Sequence, residues 1–514
     1  MTFKRLAAAV FACMLGLGLV ACSGAAGGSA SAHDGTLRVG FRTANPTSLD
    51  PAKGNAGSDH TILWAIYDSL IHFDKDMNPQ PGLAKGWTWA SPTQLRLELV
   101  EGNRFHDGTP FDAEAVRFNL DRIRAGGAGI MIASDLAAVQ SVEVPSPTTV
   151  NITLSRPNAS LLLTLSDRAG MMVSPTALQQ DADAVERTPV GAGAFKFDKW
   201  TPGDRIDVSK ADTYWNTDAT KLSGISFRLM PDPQTRLNAL RAGDIDFIYE
   251  VDPESFSSIE HDAALDHQTS PTLAYYQLFF DMSRKPFDDR RVRQAIAMSI
   301  NRTALVNAVL GPGGGEPAWM PMPADHWAYT PALEATPSFD TDKARQLLAS
   351  AGHPDGFTFE MAFENGALNE RRAEIIKSSL ADVGITVNLK PNDTASTTSA
   401  FVVDKTVDVL NSRWTGRPDP ATTYFGEFAE NGFTNVGRYV NPALDKALQD
   451  GEATPDQAAR KAAYATANEI LIDEAFNVPL YFQKNIVVYN KRVQGFEGSL
   501  LGKPRFDGVS LSGS

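Results

Sequence analysis

Residues 412–420 (SRWTGRPDP) place one acid, two bases and an aromatic ring directly after a strand predicted over residues 407–411. Ligands of open α/β sheets favour the carboxyl ends of strands, so these side chains are candidates for ligand contact. The carboxylate of Asp419 can bind an ammonium group, and Arg417 can hold a carboxylate through two hydrogen bonds. Two alternatives stay open: Arg417 pairs with Asp419 and neutralises it, or Asp419 caps a turn before Pro420.

The patterns of common catalytic and cofactor sites do not occur in the sequence. A proline interrupts the glycine-rich residues 311–316, and no Lys-Ser/Thr follows them, so they are typical of a flexible turn rather than of a phosphate loop. HExxH and GxSxG are absent. His106 and Asp107 are adjacent but have no third ligand near them, which favours a turn over a metal site. We expect a protein that is not an enzyme and holds neither metal nor cofactor.

The composition is that of a soluble globular protein with more than one lobe. Hydrophobic residues make up 43% and charged residues 21% of a chain of 514 residues, well beyond the length of a usual single domain of ~150 residues. Lys and Arg total 47 against 61 Asp and Glu, giving a net charge of −14. Binding to a phosphate backbone relies on clustered Lys and Arg, so a nucleic-acid partner is not expected.

The N-terminus has the pattern of an export signal. Lys4 and Arg5 precede an apolar stretch over residues 6–20 that is too short for a comfortable transmembrane helix. Residues 19–22 (LVAC) resemble the lipobox of bacterial lipoproteins, in which the cysteine is lipidated and becomes the new N-terminus. This predicts a signal peptide over residues 1–21, a lipid anchor on Cys22 and a flexible tether over residues 22–35. The alternative is an ordinary signal peptide cut near this point.

Helix and strand patterns alternate through the rest of the chain, which predicts an α/β or α+β class. Alternating or continuous apolar runs predict the strands, and apolar faces with capping residues predict the helices. The predicted strands are 94–100, 149–154, 194–197, 225–230, 244–249, 275–280, 385–389 and 407–414. The predicted helices are 112–124, one starting at Asp288 or Asp289, 341–351, 370–383 and 456–475.

A series of short blocks resembles the family 5 solute-binding proteins of bacterial ABC importers, the oligopeptide and dipeptide receptors. Each block alone is mostly turn and cap chemistry, but their order and spacing are specific, and they extend from about residue 36 to the end. The blocks are 48–51 (SLDP), 66–70 (IYDSL), 81–87 (PGLAKGW), 102–112 (GNRFHDGTPFD), 189–197 (PVGAGAFKF), 236–244 (RLNALRAGD), 286–295 (PFDDRRVRQA) and 382–385 (DVGI).

The resemblance implies an α/β, two-lobed periplasmic-binding-protein fold of type II, clam-like and with an extra inserted subdomain. Lobe one would combine residues 36–75, 190–280 and 486–514, and the subdomain would occupy residues 76–189. Lobe two would occupy residues 281–485. The chain would cross between the lobes near residues 280–282 and 482–484, and the lobes would close around a ligand.

The resemblance also implies roles for the loop after the strand at 407–411. In the family, an Asp-Pro in this loop supplies the aspartate that pairs with the peptide N-terminus, and Asp419 occupies that position. Trp414 stands where an aromatic residue commonly precedes it. Arg417 departs from the pattern, because peptide receptors often carry a small or acidic residue there, and this puts a simple dipeptide mode in doubt.

Further ligand contacts are expected around the same cleft. Arg371 and Arg372 stand about where dipeptide receptors place a carboxylate-binding arginine, with an exposed, charged first helical turn as the alternative. Trp327 and Tyr329 can line the pocket, with a place in the lobe core as the alternative. Asn45 is expected at the cleft edge of lobe one.

The function implied is that of a lipid-anchored receptor on the periplasmic or extracytoplasmic face of the cell membrane. It would capture a peptide or peptide-like solute and present it, as a monomer, to an ABC permease and its ATPase. The first alternative keeps the fold and changes the ligand to an opine, a glutathione-like compound, a metal chelate or a sugar. Two others are a secreted hydrolase, which would need a nucleophile or metal site, and an exported chaperone or signalling receptor.

Overall fold

The protein is described by a computed structural model that covers residues 35–43, 45–54 and 59–512. The predicted signal peptide, the lipid anchor on Cys22 and nearly all of the tether lie outside these residues. Strands and helices alternate along the chain and build several sheets, so the α/β class is confirmed.

The strands are numbered in chain order. They are β1 (Thr36–Phe41), β2 (Ile71–Phe73), β3 (Pro79–Pro81), β4 (Ala84–Ser91), β5 (Gln94–Leu99), β6 (Val139–Ser146), β7 (Thr149–Leu154), β8 (Phe195–Thr201), β9 (Arg205–Lys210), β10 (Gly224–Leu229), β11 (Phe247–Ile248), β12 (Leu265–Ser270), β13 (Tyr275–Phe280), β14 (Gly315–Pro317), β15 (Thr358–Glu364), β16 (Thr386–Asn392), β17 (Val409–Trp414), β18 (Asn477–Gln483), β19 (Asn485–Asn490), β20 (Val493–Gln494) and β21 (Ser510–Leu511).

The helices are numbered in the same way. They are α1 (His60–Ile66), α2 (Ala113–Ala125), α3 (Leu161–Thr164), α4 (Pro175–Gln180), α5 (Pro233–Ala242), α6 (Pro253–Ser257), α7 (Arg290–Met298), α8 (Arg302–Leu310), α9 (Thr341–Ser350), α10 (Ala367–Ala381), α11 (Thr394–Val402), α12 (Pro420–Phe428), α13 (Pro442–Glu452) and α14 (Gln457–Glu474). Within the described ranges, none of these helices is long and apolar enough to cross a bilayer.

The first large sheet has seven strands in the order β12-β19-β11-β1-β10-β9-β8. Strand β1 lies at its centre and runs parallel to β10 and β11. Leu37, Val39 and Phe41 alternate along β1 and are completely buried, as expected for a strand covered by the core. The carboxyl ends of these three parallel strands therefore meet at one edge of the sheet.

The second large sheet has six strands in the order β14-β18-β13-β17-β15-β16. Strand β15 is parallel to both β16 and β17, and α10 forms the crossover from β15 to β16. The predicted helix over 370–383 followed by a strand is thus confirmed, although the helix starts earlier, at Ala367. Strand β13 pairs with β17 and β18 in this sheet.

Two connections in the described chain join the two large sheets. One runs from β12 to β13 and the other from β18 to β19. The first lies between Ser270 and Tyr275, earlier than the crossing predicted at residues 280–282, because β13 belongs to the second sheet. The other joins Gln483 to Asn485.

A third, four-stranded antiparallel sheet has the order β4-β5-β7-β6. Its residues fall within the predicted subdomain over 76–189. The strict alternation predicted for β5 is confirmed, since Leu95, Leu97 and Leu99 are buried while the residues between them are exposed. Helix α2 packs on this sheet, and the Asp112 side chain caps it by accepting a hydrogen bond from the Ala115 amide.

Candidate functional site

A cleft of about 810 Å³ lies between the two large sheets. Its walls include the residues that follow the carboxyl ends of β1, β10 and β11 on one side, and those that follow β15 and β17 on the other. Open α/β sheets bind ligands at such ends because the loops there are free to vary. The cleft is therefore the candidate binding site.

A bridge of three charges spans the cleft. Arg42 follows β1, Glu250 follows β11, and Arg413 lies in β17 of the opposite sheet. Arg42 forms an ion pair with Glu250, and Arg413 Nη2 lies 3.7 Å from Glu250 Oε1. Burial alone would raise the pKa of Glu250, but the two guanidinium groups hold it below its usual value. One acid thus serves two bases from opposite lobes.

The backbone at Glu250 is held by the connection between the sheets. The Glu250 amide donates to Asn485 Oδ1 at 3.1 Å, and Asn485 Nδ2 donates to the Gly502 carbonyl at 3.1 Å. Glu250 has a φ of +51°, in the left-handed region that L-residues rarely adopt. Since Asn485 begins β19 directly after the second connection, the position of Glu250 is tied to the crossing between the lobes.

Arg236, on α5, forms another part of the cleft wall. Its side chain is buried and donates to the carbonyl oxygens of Met230 and Pro231 at 2.6 and 2.9 Å. Burial and the nearby charge of Arg42 lower the pKa of Arg236. Within the described part of the chain these acceptors are neutral, so no bonded carboxylate there balances the positive charge of Arg236.

Beside the cleft, side chains from four chain segments form what we call the junction cluster: Asp135, Asp167, Arg168, Arg417 and Lys503. Lys503 also lines the cleft. Charges within the cluster shift the pKa values of Asp135, Asp167, Arg168 and Lys503. Burial, opposed by Asp167 and reinforced by Arg417 and Arg168, lowers the pKa of Lys503 to about 7.

Among the described residues, the carboxylate of Asp135 has no hydrogen-bond or ion-pair partner. Loss of hydration and the charge of Asp167 raise the pKa of Asp135 to about 6. Asp167, in contrast, is hydrogen-bonded to His60, whose Nε2 lies 2.5 Å from Asp167 Oδ1; burial lowers the pKa of His60 to about 4, so the ring is uncharged at neutral pH.

The predicted ligand residue Asp419 is 1% exposed and fully bonded within lobe two. Arg460 donates to both of its carboxylate oxygens, at 2.9 and 2.6 Å, and the Ala421 amide donates to Oδ1 at 2.9 Å. Asp419 is thus the N-cap of α12, which is the capping alternative. The partner of Asp419 is Arg460 and not Arg417, a correction to the pairing considered from the sequence. The predicted contact of Asp419 with a ligand stays a prediction.

Trp327 belongs to the surroundings of the same pair. The Arg460 guanidinium lies 5.2 Å from the centre of the Trp327 ring, and Tyr464 packs against this ring. The structure therefore brings Asp419 and Trp327 together around Arg460. Tyr329 follows two residues later and is half-buried, with its pKa raised to about 12 by burial and by Glu334.

Two other predicted residues, Trp414 at the end of β17 and Arg417 in the loop after it, lie on either side of Thr415 in the chain. Arg417 is half-buried and donates to Thr415 Oγ1 and to the Gly416 carbonyl at 3.2 and 3.1 Å. Thr415 itself lines the cleft. Trp414 is half-buried and donates from Nε1 to Thr423 Oγ1 at 3.0 Å, which fixes its ring against α12.

The two predicted arginines of α10 have different surroundings. Arg371 is exposed. Arg372 is 1% exposed and donates to Asn411 Oδ1 at 2.8 Å and to the Tyr481 hydroxyl at 3.1 Å. Its guanidinium lies 3.9 Å from the centre of the Tyr276 ring, and Tyr276 lines the cleft. Arg372 thus supports the cleft wall from behind.

Asn45, predicted at the edge of lobe one, is exposed and accepts a hydrogen bond from the Gly203 amide at 2.9 Å. Gly203 lies in the turn between β8 and β9. In the structure, the side chain of Asn45 therefore fastens this turn.

Sequence reasoning missed Arg42, Arg236, Glu250 and Lys503. The first three follow the carboxyl ends of β1, β10 and β11, so the rule that selected residues 412–420 applies to them as well. Lys503 carries no comparable signal, because it lies in a segment without regular structure.

Comparison with known proteins identifies the class. Residues 78–435 match the bacterial extracellular solute-binding proteins, family 5 Middle, and the chain belongs to this family. Proteins of this family are extracytoplasmic binding proteins that work with ABC transporters, and this chain is a family 5 solute-binding protein that delivers its solute to an ABC importer.

Among individual relatives, the chain is 30% identical over 480 residues to the glutathione-binding protein GsiB of Shigella flexneri, covering 91% of this chain and 92% of GsiB. A solved structure of AgaA from A. tumefaciens R10 with agropinic acid is 26% identical, with a TM-score of 0.80 over 93% of this chain and 99% of AgaA. DppA of Helicobacter pylori with the peptide STSA is 25% identical, with a TM-score of 0.80 over 93% of this chain and 98% of DppA. The two-lobed periplasmic-binding-protein fold is confirmed.

Proposed function

We propose that this protein captures a peptide or peptide-like solute in the cleft between its two large sheets and presents it to an ABC permease and its ATPase. The observation that carries the proposal is the charged cleft of about 810 Å³ that both lobes build, with Glu250 and Arg413 facing each other across it. Peptides share an ammonium, a carboxylate and main-chain amides, and a receptor for them needs groups of both signs in one cleft.

The junction cluster supports a place for the ligand ammonium. The Asp135 carboxylate there is exposed and has no bonded partner among the described residues, and a ligand ammonium would stabilise its ionised form. We assign Arg417 to a ligand carboxylate, because it has neutral partners and a planar group suited to two parallel hydrogen bonds. Trp414 and Tyr329 are proposed to contact apolar parts of the solute.

Asp419, Arg372 and Trp327 are proposed to affect binding indirectly, by holding the loop after β17 and the cleft residue Tyr276 in position. The Asp419–Arg460 pair holds the start of α12, and Arg372 holds Tyr276. Trp327 packs against the same pair. Binding and release without chemistry is the proposed mechanism, with the chain acting as a monomer and without cofactor.

Native mass spectrometry of the full chain, purified from its own cells and then unfolded to release a passenger, tests the ligand class. A set of di- to pentapeptides is the expected result. A single non-peptide mass would contradict the peptide proposal and support the second candidate, which keeps the receptor and changes the ligand. That candidate has its own support, because relatives bind glutathione and agropinic acid.

The lipid anchor on Cys22 is part of the proposal and is supported by residues 19–22 (LVAC) after an apolar stretch. A Cys22→Ser variant is expected to move from the membrane fraction to the soluble extracytoplasmic fraction and to lose labelling by a radioactive fatty acid. A variant that stays labelled and membrane-bound would contradict the anchor. Cys13→Ser is the matched control, since that residue lies within the predicted signal peptide.

A further inference from the structure

Positive side chains outnumber acids along the wall of the cleft. We call the bases the basic wall; its members are Arg42, Arg236, Arg413, Lys484 and Lys503. The acids of the same lining are Glu250, Asp252 and Glu254. A ligand that enters the cleft therefore meets an excess of positive charge.

Two of the three acids that line the cleft already have partners, which leaves them less able to neutralise the basic wall. Glu250 is shared between Arg42 and Arg413. Asp252 caps α6 and accepts from the amide and the hydroxyl of Ser255 at 2.8 and 2.7 Å. Glu254 is exposed. None of the three is therefore bonded to Arg236 or Lys503.

Two members of the basic wall are left without a carboxylate partner. Lys484 is paired with Glu316 at 2.9 Å. Within residues 35–43, 45–54 and 59–512, neither Arg236 nor Lys503 takes part in an ion pair; Arg236 donates to two carbonyls, and Lys503 Nζ lies 3.4 Å from His60 Nδ1. Burial of the Arg236 guanidinium without a bonded carboxylate is costly, and burial disfavours the charged form of Lys503; an anionic ligand would offset both effects.

The start of α10 is a second feature of the cleft that favours a negatively charged ligand. Helix α10 begins beside the cleft, and residues 366–369 line it. The N-cap position is Gly366, so no side chain caps this helix. The first amides of a 15-residue helix are left to bind water or ligand, and the positive end of the helix dipole faces the same space as the basic wall.

From these charges we infer that the solute is net anionic, carrying at least one acidic group beyond the single carboxylate of an ordinary peptide, and that the basic wall with the start of α10 binds it. The inference rests on the proposed function, since it names the charge class of the solute for that cleft. In a peptide-like ligand, the extra group would be a side-chain carboxylate. Arg413 is the expected main contact because it reaches the cleft from lobe two while Glu250 already serves Arg42.

The inference can be tested by a binding competition between two pools of peptides that differ only in charge. The full chain is freed of passengers by unfolding and refolding, and folding is checked by its thermal transition. It is then mixed with a pool of tripeptides that contain Asp or Glu, together with the same tripeptides carrying Asn or Gln. Retained peptides are separated by gel filtration and measured by mass spectrometry at low and high salt.

Acidic peptides are expected to be retained at least about tenfold better than their amides at low salt, as one charge-assisted contact provides. Salt should reduce the preference because the side chains of Arg413 and Lys484 are partly exposed to solvent. Arg413→Gln and Lys503→Gln should each lower the preference severalfold with an unchanged thermal transition, while Arg413→Lys keeps part of it. Arg290→Gln, at an exposed pair with Asp473, is the matched control and should leave the preference unchanged.

Two other outcomes separate a failure of the inference from a failure of the proposed function. Equal retention of the two pools, or a preference that both cleft variants leave intact, would overturn the inference and leave the proposed receptor standing. Retention of neither pool would contradict the proposed peptide function itself, and with it the inference that rests on it.

Discussion

At the scale of single residues, the buried ion pair between Asp419 and Arg460 stabilises the start of α12. Both residues are almost completely buried, and Arg460 also donates to the Gly451 carbonyl at 2.8 Å. Removing one partner leaves the other charge buried without compensation, which costs about 3–5 kcal/mol. The same pair fixes the start of α12 and the loop that carries Arg417.

Asp419→Ala is accordingly expected to lower the free energy of unfolding by about 3–5 kcal/mol, measured by urea denaturation. The double variant Asp419→Leu, Arg460→Met should recover most of the loss, because no charge is left unpaired. Asp450→Ala, at an exposed pair with Lys446, is the control and should cost less than about 1 kcal/mol. A stable Asp419→Ala protein that has lost only its ligand would instead support a direct ligand contact.

Glu427 makes stability depend on pH. It is buried beside the Tyr275 hydroxyl and the Gln277 amide, and burial raises its pKa from 4.5 to about 8 despite these hydrogen bonds. The folded protein therefore keeps a proton that the unfolded chain releases. Its contribution is fully present below about pH 4.5 and is lost as the pH rises to about 8.

A Glu427→Gln variant isolates this effect. The difference in unfolding free energy between the wild type and the variant should move against the wild type by up to about 1.4 kcal/mol for each pH unit in that window. Denaturation curves measured from pH 4.5 to 8 give this difference. A difference that does not change with pH would show that Glu427 has an ordinary pKa in the folded protein.

At the scale of elements, the end of α13 meets the segment between β7 and α3. Glu452 accepts from the Ser160 hydroxyl at 2.7 Å and from Arg156 Nη1 at 2.9 Å, and the Ala159 amide donates to the Glu452 carbonyl at 3.1 Å. This contact joins the part of the chain that carries the third sheet to lobe two. It stabilises the arrangement in which the lobes are together.

Glu452→Ala is expected to release bound solute several times faster, because it removes two side-chain hydrogen bonds of the arrangement with the lobes together. Dissociation rates of a passenger identified by mass spectrometry give the measurement. Glu469→Ala, at an exposed position on α14, is the control. An unchanged rate would show that this contact does not hold the lobes in place.

Elements with strong local signals were predicted closely from the sequence. The predicted strand over 275–280 is β13 itself, and the helices capped by Asp112 and Asp289 begin where expected. Strand β11 is shorter than predicted, and directly before it the Asp246 side chain is bonded to Arg38 and Arg492. Such bonds join residues far apart in the chain and leave no local pattern.

The candidate site was less predictable for the same reason. The resemblance and the strand rule located the loop after β17, but the partner of Asp419 lies 41 residues away on α14. Glu250 and Arg413 come from different sheets and meet only in the folded protein. The place of β13 is another example, because it depends on pairing with β17 and β18. The sequence shows strand β13 but not its partners, so the first crossing between the lobes was predicted after β13 instead of before it.

At the scale of the whole molecule, two sheets with facing carboxyl ends are joined by two connections, and the charges that cross the cleft lie beside these connections. Asn485, at the second connection, bonds the amide of Glu250, and Glu250 faces Arg413 of lobe two. A solute that binds the basic wall therefore contacts both lobes at once. This arrangement couples ligand binding to lobe position, as expected for a protein that presents its solute to an importer.

The most direct test of this account is a crystal structure of the full chain with the passenger found by native mass spectrometry. Density for the solute is expected between the two sheets, with an acidic group near Arg413 and the start of α10. Density outside the cleft, or a solute in the cleft that contacts only one lobe, would contradict the account.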